Sequence, residues 1–316
     1  MRNRTVHLVT GGAGFIGSHL VERLVQDGAK VRVLDDLSTG REANLAPFGD
    51  AVELLRGDVR DRNAVASAAR GVRSVFHLAA LVSVERSVRD PALAEDVNAI
   101  GTIRVLEAAR EAGARRVVFA SSAAVYGDSE VVPKREEMPA DPVSPYAVSK
   151  EAAERYVRFF ATHLGLPGVS LRFFNVFGPR QDPESPYAAA IPRFVSALLA
   201  RHPPTVFGDG RQSRDFCPVE DVVEACVLAA SSERAGAGEA INVGRGTRLD
   251  LLSLLAMLGD ITGARVEPLF APPRPGDVRH SQADLAAARA KLGFVPSASL
   301  REALERTVRW YSEGGS

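Results

Sequence analysis

A β-rich run, a glycine-rich turn and a helical pattern follow one another at the start of the chain. Residues 5–10 form a short, mostly apolar run, and Gly-Gly-Ala-Gly-Phe-Ile-Gly follows directly at residues 11–17. Apolar residues then recur at helical spacing across residues 18–26. Glycines let the backbone turn tightly between the two elements. The order therefore predicts the first strand and helix of a parallel sheet.

An acidic residue at the end of the next strand makes this unit typical of a dinucleotide site. A pyrophosphate approaches the bare glycine backbone and meets the positive end of the helix. The second apolar run, residues 30–34, ends at Asp35 and Asp36, about 20 positions after the glycines. A carboxylate there binds the adenosine ribose and repels a 2′-phosphate. Arg41 favours a 2′-phosphate, but two carboxylates outweigh it, so we expect NAD rather than NADP.

Strand and helix patterns alternate through the first half of the chain. Such alternation predicts right-handed crossovers and an α/β fold, a doubly wound parallel sheet that forms an NAD-binding Rossmann domain. Ligands of such sheets bind beyond the carboxyl ends of the strands. The further strand patterns cover residues 52–55, 74–78, 116–121 and 169–173, and the clearest helical patterns cover residues 99–112 and 147–164.

The residue pattern changes near residue 174, where turn-rich segments with many prolines begin. We expect a smaller α/β substrate-binding lobe in the C-terminal part. Residues 215–232 look like a helix that returns to the main sheet. The predicted division is 1–174 with 215–243 for the Rossmann domain, and 175–214 with 244–316 for the lobe.

Composition agrees with an enzyme of the cytoplasm. Acidic and basic residues balance at 39 each among 316 residues, so no charge excess favours nucleic acid or an acidic membrane. Cys217 and Cys226 are the only cysteines, which fits a reducing compartment, and no spacing indicates a metal site. The first strand begins too early for a signal peptide, and no apolar stretch reaches membrane-spanning length.

Tyr146 and Lys150 lie four residues apart in Ser-Pro-Tyr-Ala-Val-Ser-Lys. Four residues are about one helical turn, so both side chains leave the same face of a helix. A phenol keeps its proton until about pH 10, and a nearby ammonium lowers that pKa. The pair therefore predicts a proton-transfer group that works near neutral pH.

Several motifs in order resemble the extended short-chain dehydrogenases/reductases, and among them the nucleotide-sugar 4-epimerases. The resemblance covers essentially the whole chain. The motifs are Thr-Gly-Gly-Ala-Gly-Phe-Ile-Gly at 10–17, His-Leu-Ala-Ala at 77–80, Ser-Ser-Ala-Ala-Val-Tyr-Gly at 121–127, Tyr-Ala-Val-Ser-Lys at 146–150, Arg-Phe-Phe-Asn-Val-Phe-Gly-Pro at 172–179, Ser-Arg-Asp-Phe at 213–216 and Arg-Pro-Gly-Asp at 274–277.

The resemblance implies an isomerase that inverts C4 of a UDP-sugar through a transient 4-keto sugar, with NAD regenerated in the site. Tyr146 is then the base for the 4-hydroxyl, Lys150 lowers its pKa and holds the nicotinamide ribose, and Ser122 hydrogen-bonds the reacting oxygen. The cofactor does the redox chemistry, while the protein supplies position and electrostatics. His77 and Tyr126 are expected to pack or to support the cofactor rather than to catalyse.

The resemblance also implies two sets of binding residues. The predicted cofactor contacts are Gly11, Gly14, Phe15, Ile16, Gly17, Asp35, Asp36, Ser38, Gly40, Asp58, Val59, Leu78, Ala79, Ala80, Asn98, Ser121, Tyr146, Lys150 and Phe174. The predicted substrate contacts are Ser83, Ser122, Tyr146, Asn175, Ala189, Ala190, Thr205, Val206, Phe207, Arg214, Arg274, Asp277 and Ser281. The two arginines match positions that bind the diphosphate, which suits forked guanidinium groups, and Phe207 offers the uracil a stacking face.

One position of the family's motif predicts which sugar is bound. In relatives restricted to glucose and galactose, a bulky aromatic there crowds the C2 substituent of the sugar. This chain has Ser281 at that position, which leaves room for an N-acetyl group. Asp182 and Glu184 follow the Gly-Pro-Arg turn and would repel a uronic acid. We therefore expect UDP-N-acetylglucosamine and UDP-N-acetylgalactosamine as the favoured pair, with some activity on UDP-glucose and UDP-galactose. A UDP-glucose-only or a UDP-glucuronate 4-epimerase is the alternative.

Two other classes use the same fold. A nucleotide-sugar dehydratase or decarboxylase shares the Tyr, the Lys and NAD, but dehydratases usually add an Asp-Glu pair where this chain has Ala123 and Ala124. A non-catalytic NAD sensor normally loses the Tyr or the Lys, and both are present. The helices at 99–112 and 147–164 are expected to pair between two copies in a homodimer.

Overall fold

The structure, a computed structural model, describes residues 5–183, 189–273 and 278–315. A parallel sheet of seven strands forms its centre. The strands are β1 (Val6–Thr10), β2 (Lys30–Asp35), β3 (Val52–Arg56), β4 (Ser74–His77), β5 (Arg116–Ser122), β6 (Gly168–Phe173) and β11 (Ala237–Val243). Across the sheet they lie in the order β11-β6-β5-β4-β1-β2-β3. The predicted α/β doubly wound fold is confirmed.

Helices cover both faces of the sheet, because each crossover between parallel strands must pass over one face. They are α1 (Phe15–Gln26), α2 (Arg62–Ala69), α3 (Val84–Arg89), α4 (Pro91–Glu95), α5 (Gly101–Glu111), α6 (Pro145–His163), α7 (Ala190–Leu199), α8 (Val219–Ser231), α9 (Leu251–Thr262) and α10 (Leu300–Ser312). Ser144 caps α6 by accepting a hydrogen bond from the Ala147 backbone N–H, and Pro145 occupies its first turn.

Each face of the sheet has its own apolar core. On one face, α1 and α8 pack over Val9, Val33 and Ile241. On the other face, α2, α5 and α6 pack over Leu8, Val75 and Phe119. Burial on both faces explains the near-continuous apolar runs of the strands.

A third core forms the smaller lobe, where α7, α9 and α10 pack around Phe177, Val206 and Leu254. The short strands here are β7 (Val176–Phe177), β8 (Thr205–Phe207), β9 (Ser213–Arg214), β10 (Cys217–Pro218), β12 (Leu249–Asp250) and β13 (Leu269–Ala271). They pair as β7 with β10, β9 with β12 and β8 with β13. The chain therefore leaves the main sheet after β6 and returns to it through β10 and α8.

Two sequence boundaries differ from the structure. The helix predicted from residue 215 begins at Val219, because Cys217 and Pro218 form β10 and a proline cannot donate within a helix. The helix predicted from residue 99 is preceded by a π-type turn over Asp96–Ile100. In addition, Ala288, Leu292 and Phe294 pack in the α8-side core, so part of the segment predicted for the second lobe covers the main sheet. The exact domain division stays a prediction.

Candidate active site

The glycine turn between β1 and α1 forms a cradle that only glycine permits. Gly11 has φ +70°, and a Cβ there would lie 2.7 Å from the Ala79 backbone nitrogen. A Cβ on Gly17 would lie 2.1 Å from the Gly11 carbonyl oxygen. The turn thus packs against the end of β4 on one side and the first turn of α1 on the other.

The first turn of α1 faces this cradle with its backbone donors. Gly14 is the N-cap and carries no side chain to bind them, and within the described helix no acidic residue lies in the first turn. Free N–H groups and the positive end of the helix favour a pyrophosphate. Predicted cofactor residues Phe15 and Ile16 lie in this turn. The residues present therefore fit a dinucleotide.

Asp35 at the end of β2 holds the glycine turn in place through its carboxylate. It is 6% exposed, and its carboxylate accepts hydrogen bonds of 2.9 Å from the backbone N–H groups of Ala13 and Leu37. Burial raises the pKa of Asp35, and these two bonds oppose the rise. Asp36 is exposed, and it accepts hydrogen bonds from the backbone N–H and the hydroxyl of Ser38.

Arg41 forms an ion pair with Asp182, at 3.8 Å between guanidinium nitrogen and carboxylate oxygen. Arg41 was the residue most able to attract a 2′-phosphate, so its pairing supports the expectation of NAD. Gly40 packs against the Asp35 carboxylate, where a Cβ would lie 2.8 Å from Oδ1.

The predicted residues after β3 and β4 occupy the same edge of the sheet. Asp58 pairs with Arg60 at 2.6 Å, and this guanidinium lowers the pKa of Asp58. Val59 is buried in the core beneath it. Leu78, Ala79 and Ala80 follow β4 directly, beside the glycine turn.

His77 at the end of β4 is fully buried and joins three elements. Its Nδ1 lies 2.7 Å from the Thr10 hydroxyl of β1, and its Nε2 lies 2.9 Å from the Thr102 hydroxyl of α5. Burial lowers the pKa of His77 to about 3, with a smaller contribution from the Lys150 charge. His77 is therefore neutral and structural, as the sequence predicted.

Asn98 lies in the π-type turn and joins the loop after β4 to α6. Its amide oxygen accepts from the Leu81 backbone N–H at 2.8 Å, and its amide nitrogen donates to the Leu81 carbonyl and to the Ser149 hydroxyl. These bonds hold the loop after β4 against α6. The predicted cofactor contact of Asn98 stays a prediction.

Tyr146, Lys150 and Ser122 meet where α6 passes the carboxyl end of β5. Lys150 is 2% exposed, and its ammonium donates to the Ala120 carbonyl at 2.8 Å and lies 4.8 Å from the centre of the Phe119 ring. Tyr146 sits one turn earlier on α6, and its backbone N–H donates to the Ser87 hydroxyl. The helical spacing predicted for the pair is therefore realised.

Burial acts on the two groups in opposite directions. It raises the pKa of Tyr146 above its usual value, and a hydrogen bond with Ser122 opposes the rise. It lowers the pKa of Lys150 to about 7, and the charge of Glu154 opposes this fall. Both effects favour the neutral forms, so nearby charges decide which forms the site holds.

A cavity of about 220 Å³ lies in the smaller lobe, and its wall begins two residues after β6. Ser122 on β5 is paired in register with Phe173 on β6, and Asn175 on the cavity wall follows two residues later. Six predicted substrate contacts line the cavity: Asn175, Ala189, Ala190, Thr205, Phe207 and Arg214. The structure therefore brings together residues that are up to 39 positions apart, from 175 to 214.

Other predicted contacts turn inward or lie elsewhere. Val206 is buried in the lobe core, Phe174 packs with Tyr126 and Ala283, and Ser121 donates its hydroxyl to Glu154. Ser83 caps α3. These side chains serve internal contacts. The predicted contacts Arg274 and Asp277, like Glu184 of the proposed uronate-repelling pair, lie outside the described residues.

Sequence reasoning missed two polar residues of the cavity wall. Arg193 lies one turn after Ala190 on α7, with its guanidinium 5.5 Å from the centre of the Phe207 ring. Gln212 donates its amide hydrogen to the Phe207 carbonyl at 2.6 Å. The helical spacing from Ala190 would have indicated Arg193, whereas no sequence pattern points to Gln212.

Ser281 lies beside the strand that carries Arg214. Its backbone N–H donates to the Ser213 carbonyl at 3.0 Å. The neighbouring His280 ring lies 2.8 Å from the Ser213 hydroxyl through Nδ1. The predicted specificity position is thus adjacent in space to the cavity wall.

A larger cavity of about 790 Å³ lies at the amino ends of the strands, lined by residues such as His7, Arg73 and Arg115. It contains none of the predicted site residues, and ligands of parallel sheets bind at the carboxyl ends of the strands. Within residues 5–183, 189–273 and 278–315, no three acidic, His or Cys side chains are grouped to hold a metal ion. No helix of that same part of the chain is long and apolar enough to cross a membrane.

Residues 7–244 match the model of the NAD dependent epimerase/dehydratase family. The chain belongs to this family, which confirms the predicted family resemblance and the NAD cofactor. It is 44% identical to a UDP-glucose 4-epimerase of Mycolicibacterium smegmatis, over 96% of this chain and 97% of that protein.

Solved structures agree with the family. A UDP-N-acetylglucosamine 4-epimerase from Methanobrevibacter ruminantium, in complex with UDP-N-acetylmuramic acid, superposes with a TM-score of 0.94 at 38% identity, covering 99% of this chain and 100% of that one. A UDP-glucose 4-epimerase from Thermotoga maritima with UDP-glucose superposes with a TM-score of 0.93 at 38% identity, covering 98% and 99%. Relatives of the same fold thus act on both acetylated and unacetylated sugars.

The buried His77 predicts a pH dependence of stability. Its folded pKa of about 3 lies below the ordinary value of 6.5, so below pH 6.5 the unfolded chain binds a proton that the folded chain does not. We expect this one group to lower the free energy of unfolding by about 1.4 kcal/mol per pH unit as the pH falls from 6.5 toward 3. Chemical denaturation across this range should give a smaller slope for His77→Gln.

The control is Thr307→Val, which removes a buried hydroxyl that donates to the Ala303 carbonyl in α10 and leaves the partners of His77 in place. It should lower stability by a similar amount at every pH. An unchanged pH slope in His77→Gln would contradict the assignment of His77 as a buried neutral residue.

Proposed function

We propose that the chain is an NAD-dependent UDP-sugar 4-epimerase. The observation that carries the proposal is the meeting of Tyr146, Lys150 and Ser122 at the carboxyl end of β5. The glycine turn after β1 lies at the same ends of the parallel strands, and the cavity lined by Asn175 and Arg214 begins two residues after β6, the neighbour of β5. The activities of the similar proteins support the same reaction.

The protein residues divide the acid–base work between them. Tyr146 takes the proton from the sugar 4-hydroxyl and later returns it, while Ser122 hydrogen-bonds the same oxygen. In this proposal Lys150 supplies the positive charge that favours the phenolate. Burial raises the pKa of Tyr146, and the hydrogen bond with Ser122 opposes that rise. Bound NAD supplies the hydride acceptor and donor, as well as a further positive charge near the phenol.

The residues after Ser122 favour epimerisation over dehydration. Ala123 and Ala124 form the turn Ala123–Tyr126, and the Ala124 backbone N–H donates to the Ser122 hydroxyl at 3.1 Å. β-Elimination needs an acid beside the reacting sugar, and these positions offer only methyl groups. The oxidised sugar is therefore left to be reduced again.

The cavity of the lobe suits a nucleoside diphosphate. Arg214 and Arg193 bring two guanidinium groups to its wall, and Phe207 and Thr205 bring an aromatic face and a hydroxyl. Guanidinium forks bind phosphate oxygens bidentately. We place the diphosphate beside Arg214 and Asn175, and the uracil along β8. The division of the chain into a Rossmann domain and a nucleotide-sugar lobe follows from the same placement.

For the sugar, we propose UDP-N-acetylglucosamine and UDP-N-acetylgalactosamine as the favoured pair, with UDP-glucose and UDP-galactose also accepted. The small side chain of Ser281 beside Ser213 supports room for an N-acetyl group. Asp182 is paired with Arg41, so its carboxylate gives no separate support for the exclusion of uronic acids, which stays a prediction. The similar UDP-N-acetylglucosamine 4-epimerase shows that the fold accommodates acetylated sugars.

We also propose a homodimer formed through α5 and α6. Val148, Tyr156 and Phe159 lie on the outer side of α6 and are exposed, Phe159 to 46%. At about 100° per residue these three positions fall within one stripe of the helix surface. Exposed apolar side chains grouped on one helix face are typical of a protein interface. A cytoplasmic location stays a prediction from the sequence.

Tyr146→Phe tests the assigned base. Without the phenol oxygen no proton can be removed from the sugar, so we expect kcat to fall by about 10²–10⁴-fold while NAD stays bound. Product formation from UDP-N-acetylglucosamine and UDP-glucose is followed by NMR, and bound NAD is measured after release from the protein. Tyr156→Phe, on the same helix but exposed, should keep full activity. Full turnover by Tyr146→Phe would show that another group is the base.

Ser281→Tyr tests the sugar specificity. A ring at this position should crowd the N-acetyl group and lower kcat/KM for UDP-N-acetylglucosamine by about 10²-fold or more, a few kcal/mol of lost binding. Activity on UDP-glucose should change little, and Ser281→Ala should resemble the wild type. Product analysis by NMR with UDP-glucose, UDP-N-acetylglucosamine and UDP-glucuronate in turn measures the preference. A wild type that turns over only unacetylated sugars would overturn the proposed substrate.

Phe159→Glu tests the dimer. A carboxylate buried across the helix interface has no partner and is strongly unfavourable. We expect sedimentation velocity to show a dimer for the wild type and a monomer for this variant. Val131→Glu makes the same change at an exposed apolar position away from α6 and should stay dimeric. A monomeric wild type would remove the proposal.

A further inference from the structure

A third charged residue lies behind the Tyr146–Lys150 pair on the same face of α6. Glu154 follows Lys150 by four residues, so the three side chains stack along the helix at successive turns. Glu154 and its partner Arg172 on β6 have side chains that are only 9% and 7% exposed. A buried carboxylate is unfavourable unless it is paired and hydrogen-bonded.

The carboxylate of Glu154 is held from two strands. Arg172 donates to it through Nε at 2.9 Å and through a terminal nitrogen at 2.7 Å. Ser121 on β5 donates its hydroxyl to the same carboxylate at 2.5 Å. The neighbouring Ala120 carbonyl accepts the Lys150 ammonium. Adjacent residues of β5 therefore fix Lys150 and Glu154 at once.

Few other charges lie around Lys150 within the described residues. His77 from β4 is neutral because its pKa is about 3, and Tyr126, over whose ring Arg172 lies at 4.7 Å, is neutral because burial raises its pKa to about 12. Tyr146 on α6 and the hydroxyls of Ser121 and Ser122 on β5 complete the surroundings. Beyond Tyr126, Glu136 accepts a hydrogen bond from the Asn242 backbone N–H, and burial raises its pKa.

We propose that Glu154 is a positioning residue for the reaction: its buried carboxylate balances the two cations Lys150 and Arg172, and so sets the pH range in which Tyr146 and Lys150 hold their working protonation states. The proposal rests on the proposed function, in which the phenol acts as a base beside an ammonium. A nearby anion favours the protonated form of both groups. Removing its charge therefore lowers the pKa of the phenol and of the ammonium together.

Glu154→Gln is the direct test, because glutamine keeps the size and can still hydrogen-bond Ser121 and Arg172. We expect the whole bell-shaped profile of kcat against pH to move to lower pH by about one unit or more. The acid side moves because Tyr146 ionises earlier, and the alkaline side because Lys150 loses its proton earlier. A lower kcat with both sides of the profile unmoved would show that Glu154 has only a structural role.

Glu151→Gln is the matched control. Glu151 lies on the same helix, one turn before Arg155, and forms a surface pair with it. Glu151 directly follows Lys150 but leaves α6 about 100° around the helix, toward the exposed Arg155. The change removes one carboxylate that is not on the Lys150 face, so the pH profile should stay in place. Glu154→Asp keeps the charge but shortens the side chain; it should lower kcat without a shift of the profile.

If Glu154→Gln fails to fold, two further variants still test the proposal. They are Arg172→Gln and the double variant Glu154→Gln/Arg172→Gln. Loss of Arg172 alone removes one of the two cations that Glu154 balances, so the profile should move to higher pH. The double variant removes one charge of each sign and should return the profile toward that of the wild type. A double variant that resembles Arg172→Gln would overturn the proposal.

A spectroscopic titration separates failure of this proposal from failure of the proposed function. The ionisation of Tyr146 is followed by ultraviolet difference absorbance of the NAD-bound protein against its Tyr146→Phe counterpart, without any sugar. Glu154→Gln should ionise Tyr146 at lower pH than the wild type even if the substrate has been misassigned. An unchanged midpoint would contradict the proposal, whatever the protein epimerises.

Discussion

The ammonium of Lys150 lies inside the protein, and the active site depends on how that charge is accommodated. It donates to the Ala120 carbonyl, lies over the Phe119 ring and faces Glu154 one turn further along α6. A buried charge without such partners is expelled or neutralised. The same contacts fix the distance and rotation of α6 on β5, and thereby place Tyr146 beside Ser122.

The order of the strands decides where the remaining groups meet. Because β1 lies between β4 and β2, the glycine turn after β1 packs directly against Ala79 after β4. Thr10, His77 and Thr102 form a buried hydrogen-bonded chain beneath that contact. The carboxyl ends of all parallel strands point to one edge, so cofactor cradle, acid–base pair and lobe cavity open side by side.

Local patterns predicted much of this arrangement. The glycine turn, the carboxylates after β2 and the spacing of Tyr146 and Lys150 are short-range features, and a helix or strand turns such spacing directly into geometry. The helix predicted from residue 215 was partly wrong because Pro218 pairs as a short strand with β7 before α8 begins. The side chains of Asn98, Ser121 and Phe174 make internal bonds and packing contacts that no motif indicated, and their assignment to the cofactor stays a prediction.

The sequence by itself determined the fold class, the family, the dinucleotide cofactor and the one-turn spacing of Tyr146 and Lys150, because each depends on motifs of residues close together in the chain. Only the tertiary structure decided that Arg193 and Gln212 join the cavity of the lobe and that Arg41 pairs with Asp182. It alone showed that Glu154 is buried with Arg172 behind Lys150. Contacts between distant segments and the loss of solvent around a charge depend on packing, and no local pattern of residues specifies them.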